Sequence, residues 1–473
     1  MQNIIYWFRN DLRLRDNEAF WEAAQHGKVI PIYIFDERLF QSNLFGDPRT
    51  SIHRAKFLIE CVRNLKENLR KKGSDLIIRY GKPEEIIFKL SETLKVQAVY
   101  ASKEVTQDET TIEANLAKKI KPINVDIELI WTSTLYHPRD LPFQINYLPD
   151  NFTDFRKKIE TSSSVRKSIA EPANLSAFPN NIEIGEVPTL EELGYGEYVF
   201  DERAAFEFRG GEDEALKRLN SYIWETQSLK TYKETRNGLV GPDFSSKLSA
   251  WLSVGCISSK IIYEEVKKYE STVVANDSTY WLIFELLWRD YFYLIALKYG
   301  SRIFKRSGVK NDLYREWSAD KEVFDKWAKG ETGVPFVDAN MRELNVSGYM
   351  SNRGRQNVAS FLSKELGIDW TWGAAYFESK LIDYDACLNW GNWNYVAGVG
   401  NDPRENRRFN ILKQAKTYDK EAIYIKRWLP ELVNIPAELI HQNLSLNIAE
   451  QEKYHCFLGK DYPESMVEFE FSE

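Results

Sequence analysis

The chain is poor in the residues that build metal and disulfide sites. Its four cysteines, at positions 61, 256, 387 and 456, are scattered over 473 residues with no CxxC pair. Neither a disulfide framework nor a zinc site is supported by that spacing. The five histidines show no HxxxH or HExxH spacing, so a metal-free mechanism in a reducing compartment is expected. No run of apolar residues is long enough to span a bilayer, and no membrane role is expected. The N-terminus "MQNIIYWFRNDLRLRD" lacks a charged n-region followed by an apolar h-region. No signal peptide is read, and the expected location is cytoplasmic, with an organelle as the alternative if a transit peptide has been removed. No GxGxxG follows the first strand, so the usual dinucleotide fingerprint is missing. No internal repeat is present. A formal net charge of −7 argues against a strong non-specific binder of duplex DNA. The total hides segregation: residues 401–430 carry eight Lys/Arg against four Asp/Glu, and the C-terminal end is acidic.

A length of 473 residues exceeds one ordinary core, so at least two domains are expected. Residues 1–135 alternate apolar runs, "IIYWF", "VIPIYIF", "DLIIRY", "AVYAS" and "DIELIW", with segments of helical spacing. Several runs are apolar on both faces, as buried parallel strands are. The alternation predicts an α/β domain with a doubly wound, parallel, five-stranded sheet. Its longest helix is bracketed by Ser51 and Gly73 as start and stop signals. Residues 136–200 are rich in Pro and Asn, lack a sustained period and read as a connector that wraps the surface, with one helix near 151–160. From 201 to 473 the pattern is almost wholly helical until about residue 445, after which a short acidic tail is expected. Eleven of the fourteen tryptophans fall in this part, so aromatic chemistry belongs there.

Four segments of the helical part hold candidate chemistry. In "GPDFSSKLSAWLSVGCIS" three serines and a lysine precede a helix; this is either a Ser-rich cap or a phosphate cradle of backbone N–H groups and hydroxyls. In "FELLWRDYF", Glu285, Trp288 and Arg289 share one helical face. They make either a Glu–Arg surface pair with the indole in the core, or the wall of a cavity with a buried carboxyl that exchanges hydrogen bonds with a ligand. In "SNRGRQ", Arg355 is placed to pair with Asp383 or Asp385. Finally "IDYDACLNWGNWNYVAG" sets two acids, two amides and three aromatic rings side by side with little aliphatic filler. That composition suits a Trp-rich core or a pocket for a large flat cofactor.

Taken in order, "WFRNDLRLRDN", "FELLWRDYF", "GYMSNRGRQNVASFL", "IDW" and "DACLNWGNWNY" resemble the photolyase/cryptochrome family over residues 1–440. "YKETRNGLVGPDFSSKLS", "WGNWNYVAGVGNDPREN" and "RWLPEL" look most like its DASH cryptochrome branch. The resemblance implies a helical domain that binds a U-shaped FAD. Ser245, Ser246, Leu248 and Ser249 then match the phosphate cradle, with Ala250 where the family usually has Pro, and Tyr232 matches a cofactor-covering ring. Asn389 matches the residue opposite flavin N5, and Asp383 and Arg355 the ion pair beside the isoalloxazine. Asp385 matches a ring-edge contact, and Arg289 and Asn352 complete the implied cofactor set. Trp393, Trp370 and Trp317 match the inner, middle and outer members of an electron relay; three unrelated core indoles are the alternative.

The resemblance further implies light-driven electron donation from reduced flavin to a cyclobutane pyrimidine dimer flipped out of the stack. Glu285 matches the carboxylate that hydrogen-bonds the dimer, Trp288 an indole packed on it, and Arg353 a polar wall. Gln356 and Tyr395 stand where duplex-repairing members carry Met and Trp, which fits a preference for single strands. Arg407 matches a phosphate contact. Glu109 is the best match for an acid contacting a methenyltetrahydrofolate antenna, with Asp108 and Gln107 as alternatives and a plain helix cap equally admissible. The implied activity is that of a photolyase-type lyase acting on single-stranded or looped DNA, in a monomer. A blue-light signalling photoreceptor is the alternative reading.

Overall fold

The computed structural model describes residues 2–43, 45–173, 175–179, 182–404 and 407–468. Five strands carry the apolar runs of the first part: β1 Asn3–Phe8, β2 Lys28–Asp36, β3 Ile77–Gly81, β4 Ala98–Ser102 and β5 Asp126–Ile130. All pair in parallel in the order β3-β2-β1-β4-β5. Central β1 sets Ile5 opposite both Ile30 and Val99. Covered on both faces, it needs apolar residues in succession, and Ile4 to Phe8 are all buried. Edge strand β5 lies between half-buried and exposed.

The helices α1 Glu18–His26, α2 Ile52–Lys71, α3 Pro83–Leu94 and α4 Gln107–Ile120 connect and cover the strands. Ser51 caps α2 by accepting from Arg54 N, and Gly73 follows its end at φ +82°, as the start and stop signals required. The strand order reverses between β1 and β4, and ligand crevices in open α/β sheets open at such a switch point. Here Asp11 accepts hydrogen bonds from Tyr6 and Ser102, Asn10 donates to Glu104 at 3.1 Å, and Arg9 pairs with Glu113 at 2.6 Å.

Residues 136–200 run across the molecule. Their helix, α5 Phe152–Ser162, packs on the helical part, and Ile78 N donates to Ile184 O at 2.8 Å, so the segment also borders β3. Beyond it come α6 Glu212–Asn220, α7 Tyr232–Thr235, α8 Ser249–Ser253, α9 Ser259–Thr272, α10 Asp277–Tyr299, α11 Lys321–Lys329, α12 Pro335–Ser347, α13 Asn352–Ser360, α14 Trp370–Lys380, α15 Ala386–Ala397, α16 Ile411–Tyr418, α17 Ile423–Trp428, α18 Ala437–Ile440 and α19 Ile448–Tyr454. Helix α10 starts in a capping box at Asn276 and buries residues on every side, which makes it the axis of this part.

The expectation that helix ends near 445 and a plain tail follows is corrected. Helix α19 lies beyond that point, Tyr462 is buried and donates to Asp338 at 2.6 Å, and Met466 N donates to Thr332 O at 2.9 Å. A buried phenol with a carboxylate partner anchors the segment, a long-range contact that local patterning does not reveal.

The two parts are sewn together at the switch point. Leu12 N donates to Val254 O at 3.1 Å and Arg13 to Gly255 O at 2.9 Å. A Cβ on Gly255, at φ +68°, would lie 2.0 Å from Asn10 O, so only glycine allows this approach. Asp290 on α10 accepts from the backbone N–H groups of Leu135 and Tyr136 at 2.9 and 2.8 Å. Among the described residues no helix is long and apolar enough to cross a membrane.

Candidate functional site: a cavity and its mouth between helices α8, α10, α13 and α15

Helices α7, α8, α10, α13, α14 and α15 enclose a cavity with about 1120 Å³ of empty space, part of it open solvent. It joins a wider mouth at the surface. Tyr232, Ser246, Leu248, Ser249, Glu285, Arg289, Asn352, Arg355, Gln356, Asp383, Asp385, Asn389 and Trp393 line the cavity. Ser245, Trp288, Arg353, Tyr395 and Arg407 line the mouth. Residues up to 175 positions apart in the chain, from Tyr232 to Arg407, are thereby brought to one connected space. Trp370, Trp317 and Glu109 lie outside its walls.

The serine loop is held from behind. Arg218 on α6 donates to the carbonyls of Pro242, Ser245 and Ser246 at 2.9, 3.2 and 2.9 Å and pairs with Asp243 at 2.9 Å. Four bonds from one planar guanidinium fix the loop as a unit. The following helix, α8, has only five residues, so the loop and its hydroxyls, rather than a long helix, define this wall. Lys247, at φ +58°, is buried and donates to the Tyr349 hydroxyl at 3.1 Å.

The opposite wall comes from the start of α15. Asp385 caps that helix by accepting from Leu388 N at 3.0 Å, and accepts from the Tyr293 hydroxyl at 2.5 Å. Arg289 lies 4.0 Å from it and donates to the carbonyls of Ser133 and Leu252. Of the two acids open to Arg355, Asp383 takes it: Nη2 reaches both carboxylate oxygens, at 2.9 and 2.8 Å. Burial opposes the charge on Arg355, while Asp383 raises its pKa and wins. Asn389 donates to Ala374 O at 3.0 Å, which fixes its amide against the cavity.

At the junction of cavity and mouth, Glu285 pairs with Arg236, not with Arg289 one turn away. The surface Glu–Arg pair weighed above is therefore overturned by a partner from α7's C-cap. Burial raises the Glu285 pKa, and the Arg236 charge opposes that rise. Trp288 is half-buried at the mouth, not in the core. Phe152 stacks on it at 3.7 Å and Tyr395 meets it edge-on at 5.6 Å. Arg353 donates to Gln356 and Asn237 at 3.0 Å each and lies over the Tyr418 ring. Arg407 lies over Phe409 and 3.8 Å from Asp402.

Of the three tryptophans expected to form a relay, Trp393 reaches the cavity, beside Phe377 at 5.1 Å. Its close approach to α14 needs Gly373, where a Cβ would lie 2.3 Å from the indole. Trp370 is fully buried and donates to Arg306 O at 3.0 Å. Arg306 in turn donates to Trp317 O at 2.9 Å. Trp317 is only 9 % exposed, because Arg315 covers its ring at 4.5 Å. A fourth indole, Trp390, meets Trp370 at 5.8 Å and donates to the hydroxyl of Tyr384, a cavity residue. Glu109 lies across the switch point; burial pushes its pKa up to about 7, with Arg9 opposing and Asp385 adding to the rise.

Arg218, Arg236 and Tyr293 escaped the sequence reading of the site, which noted Lys247 and Trp390 only as members of their segments and gave them no role. Only Arg236 carried a usable signal, as the cation of "YKETRNGL".

A parallel sheet in this order, sewn to a helical bundle around one polar and aromatic cavity, defines a two-domain protein of the photolyase type. Residues 4–174 match the family described as DNA photolyase, and residues 281–473 match the FAD binding domain of DNA photolyase. The Cryptochrome DASH of Gloeobacter violaceus is 49% identical over 468 residues, which cover 99% of this chain and 93% of that one. The crystal structure of a Synechocystis cryptochrome has a TM-score of 0.95 at 48% identity, over 98% of this chain and 96% of the other. A class III photolyase from Agrobacterium tumefaciens has a TM-score of 0.85 at 29% identity, over 99% and 95%. The chain belongs to the photolyase/cryptochrome family, in its cryptochrome DASH branch, and carries the FAD-binding domain of that family.

Proposed function

We propose that the protein uses blue light and FAD to repair cyclobutane pyrimidine dimers in single-stranded or looped DNA. The observation that carries this reading is Glu285, a carboxyl whose pKa burial has raised, held where the cofactor-sized cavity meets a mouth rimmed by Arg236, Arg353, Arg404 and Arg407.

The cavity residues fit FAD. Arg289 Nε is buried there with no hydrogen-bond partner among the described residues, so a donor awaits an acceptor. Ser245, Ser246 and Ser249 with the backbone of Leu248 offer donors to a pyrophosphate, and Arg218 keeps them in register. Tyr232 would cover its ring, with the mutually neutralised Arg355–Asp383 pair beside it, and Asp385, Asn352 and Asn389 would hold its polar edge. Bound there, reduced FAD would supply, on excitation, the electron that cyclobutane ring opening needs.

The chain's own residues do the rest. Burial favours the protonated form of Glu285 and Arg236 opposes it; in the protonated form the carboxyl donates a hydrogen bond to a dimer carbonyl as negative charge develops there. Trp288 and Tyr395 offer apolar edges to the flipped bases, and Gln356 and Arg353 polar ones. A tyrosine and a glutamine grip less than an indole and a thioether, which favours strands already unstacked. Arg407 contacts phosphate without reading sequence. Trp393, Trp370 and Trp317 carry electrons inward from the surface. Glu109, at the switch point where open sheets bind ligands, contacts a methenyltetrahydrofolate antenna. The working unit is a monomer.

Replacing Glu285 by Ala tests the reading. With FAD content unchanged, dimer repair under blue light should fall by about one to two orders of magnitude, the worth of a hydrogen bond to developing charge. Repair at the parent rate by this variant would overturn it.

A further inference from the structure

Beside the mouth, one cluster of positive charge lies outside the machinery described above. Gly398 ends α15 at φ +83°, a left-handed conformation that favours glycine. Three cations converge on it. A Cβ at this position would lie 2.7 Å from Lys364 Nζ and 3.2 Å from Arg315 Nη1, so any other residue would fill the space these two groups enter. Lys310 Nζ donates to the Gly398 carbonyl at 3.3 Å. A fourth cation, Arg408, is close enough to disfavour the charge on both Lys364 and Arg315.

Among the described residues, the nearby acids are already engaged or few. Asp402 pairs with Arg404 at 3.0 Å and lies 3.8 Å from Arg407. Glu365 lies 3.5 Å from Arg408. Asp312 offsets Arg315 only at longer range. Lys364 Nζ is buried with no hydrogen-bond partner among the described residues. An ammonium without water or a counter-charge is costly, and neighbouring cations add to the cost. A bound anion removes both penalties at once. Two ammonium groups and a guanidinium fork converging from different sides suit a tetrahedral oxyanion.

The cluster adjoins the mouth. Tyr395 and Val396, on the same last turn of α15 as Gly398, line it, and so do Asp402, Arg404 and Arg407 on the loop that follows. We propose that Lys310, Arg315 and Lys364, gathered at Gly398, form a phosphate site that takes a backbone phosphodiester of the DNA strand outside the mouth. The site extends the strand's track past the nucleotides that enter the cavity, and it rests on the reading of DNA as the substrate.

Full-length protein is titrated with short and long dimer-free oligothymidylate at several salt concentrations, as the parent and as Lys364→Met and Lys310→Met. Each variant should bind the long strand more weakly, with the slope of log affinity against log salt shallower by about 0.7 for each phosphate no longer neutralised. The short strand, confined to the mouth, should bind as to the parent. Unchanged affinity and slope for the long strand in both variants would overturn the site. Arg407→Gln separates the two readings: if it weakens binding while the lysine variants do not, only this site fails. If none of the three matters, DNA binding at the mouth fails too. In a parallel arm inorganic phosphate competes with the long strand. A lysine variant that loses phosphate competition but keeps full strand affinity would overturn the assignment to a strand in favour of free phosphate.

Discussion

Arg355 grips Asp383 through a single nitrogen that reaches both carboxylate oxygens, at 2.9 and 2.8 Å, and the Asp383 side chain is only 3% exposed. Removing one member of such a pair leaves the other charged and buried. Replacing Arg355 by Leu should cost about 3–5 kcal/mol of folding stability and lower FAD retention. Replacing both, Arg355→Leu with Asp383→Asn, should recover much of the stability but not the retention. Thermal melting and flavin absorbance after gel filtration measure the two effects separately.

Arg218 does not itself line the cavity, yet it anchors three carbonyls and one acid of the serine loop that does. Lysine keeps the charge but cannot make four directed bonds. Arg218→Lys should weaken FAD binding by about tenfold, the equivalent of one charge-assisted hydrogen bond. Flavin release on dilution, followed by fluorescence, checks this.

The Arg315 guanidinium over Trp317 disfavours a positive charge on that indole. Even in a water-like dielectric, a unit charge about 4 Å away acts with about 1 kcal/mol. Arg315→Gln should therefore speed photoreduction by an external donor about fivefold, and Trp317→Phe should abolish that gain. Transient absorption of the tryptophan radicals after a blue flash reads both.

Burial, with Arg315, Arg408 and Lys310 around it and Asp402 opposing, lowers the Lys364 pKa to about 8. Below that pH the ammonium is charged and attracts phosphate; above it the charge is lost. Affinity for long single strands should fall between pH 7 and pH 9 in the parent, and fall less in Lys364→Met. Fluorescence anisotropy at constant ionic strength makes the comparison.

Local signals carried much of the fold. Apolar runs marked the five strands because a central parallel strand must be apolar on both faces, and Ser51 and Gly73 bracketed α2 because orphan backbone groups need caps there. Part of the cavity lining was also legible in the crowding of "IDYDACLNWGNWNY", which supplies Asp383, Asp385, Asn389 and Trp393; much of the rest was named through the family resemblance. The missed features all depend on partners distant in sequence. Glu285 has a helical neighbour in Arg289, yet the fold presents Arg236 instead. Arg218 meets the serine loop only once α6 has docked, and Tyr462 finds Asp338 across the helical domain. No periodicity records such pairings. The convergence on Gly398 is of the same kind, drawing Lys310, Arg315 and Lys364 from three separate segments.

The most direct test of light-driven repair is illumination of the reduced protein with oligonucleotides bearing one thymine dimer, single-stranded and duplex, scored for restored thymines. Efficient restoration in the single strand, weak restoration in the duplex and none in the dark are expected. No restoration in either substrate by protein with its full complement of FAD would contradict the account.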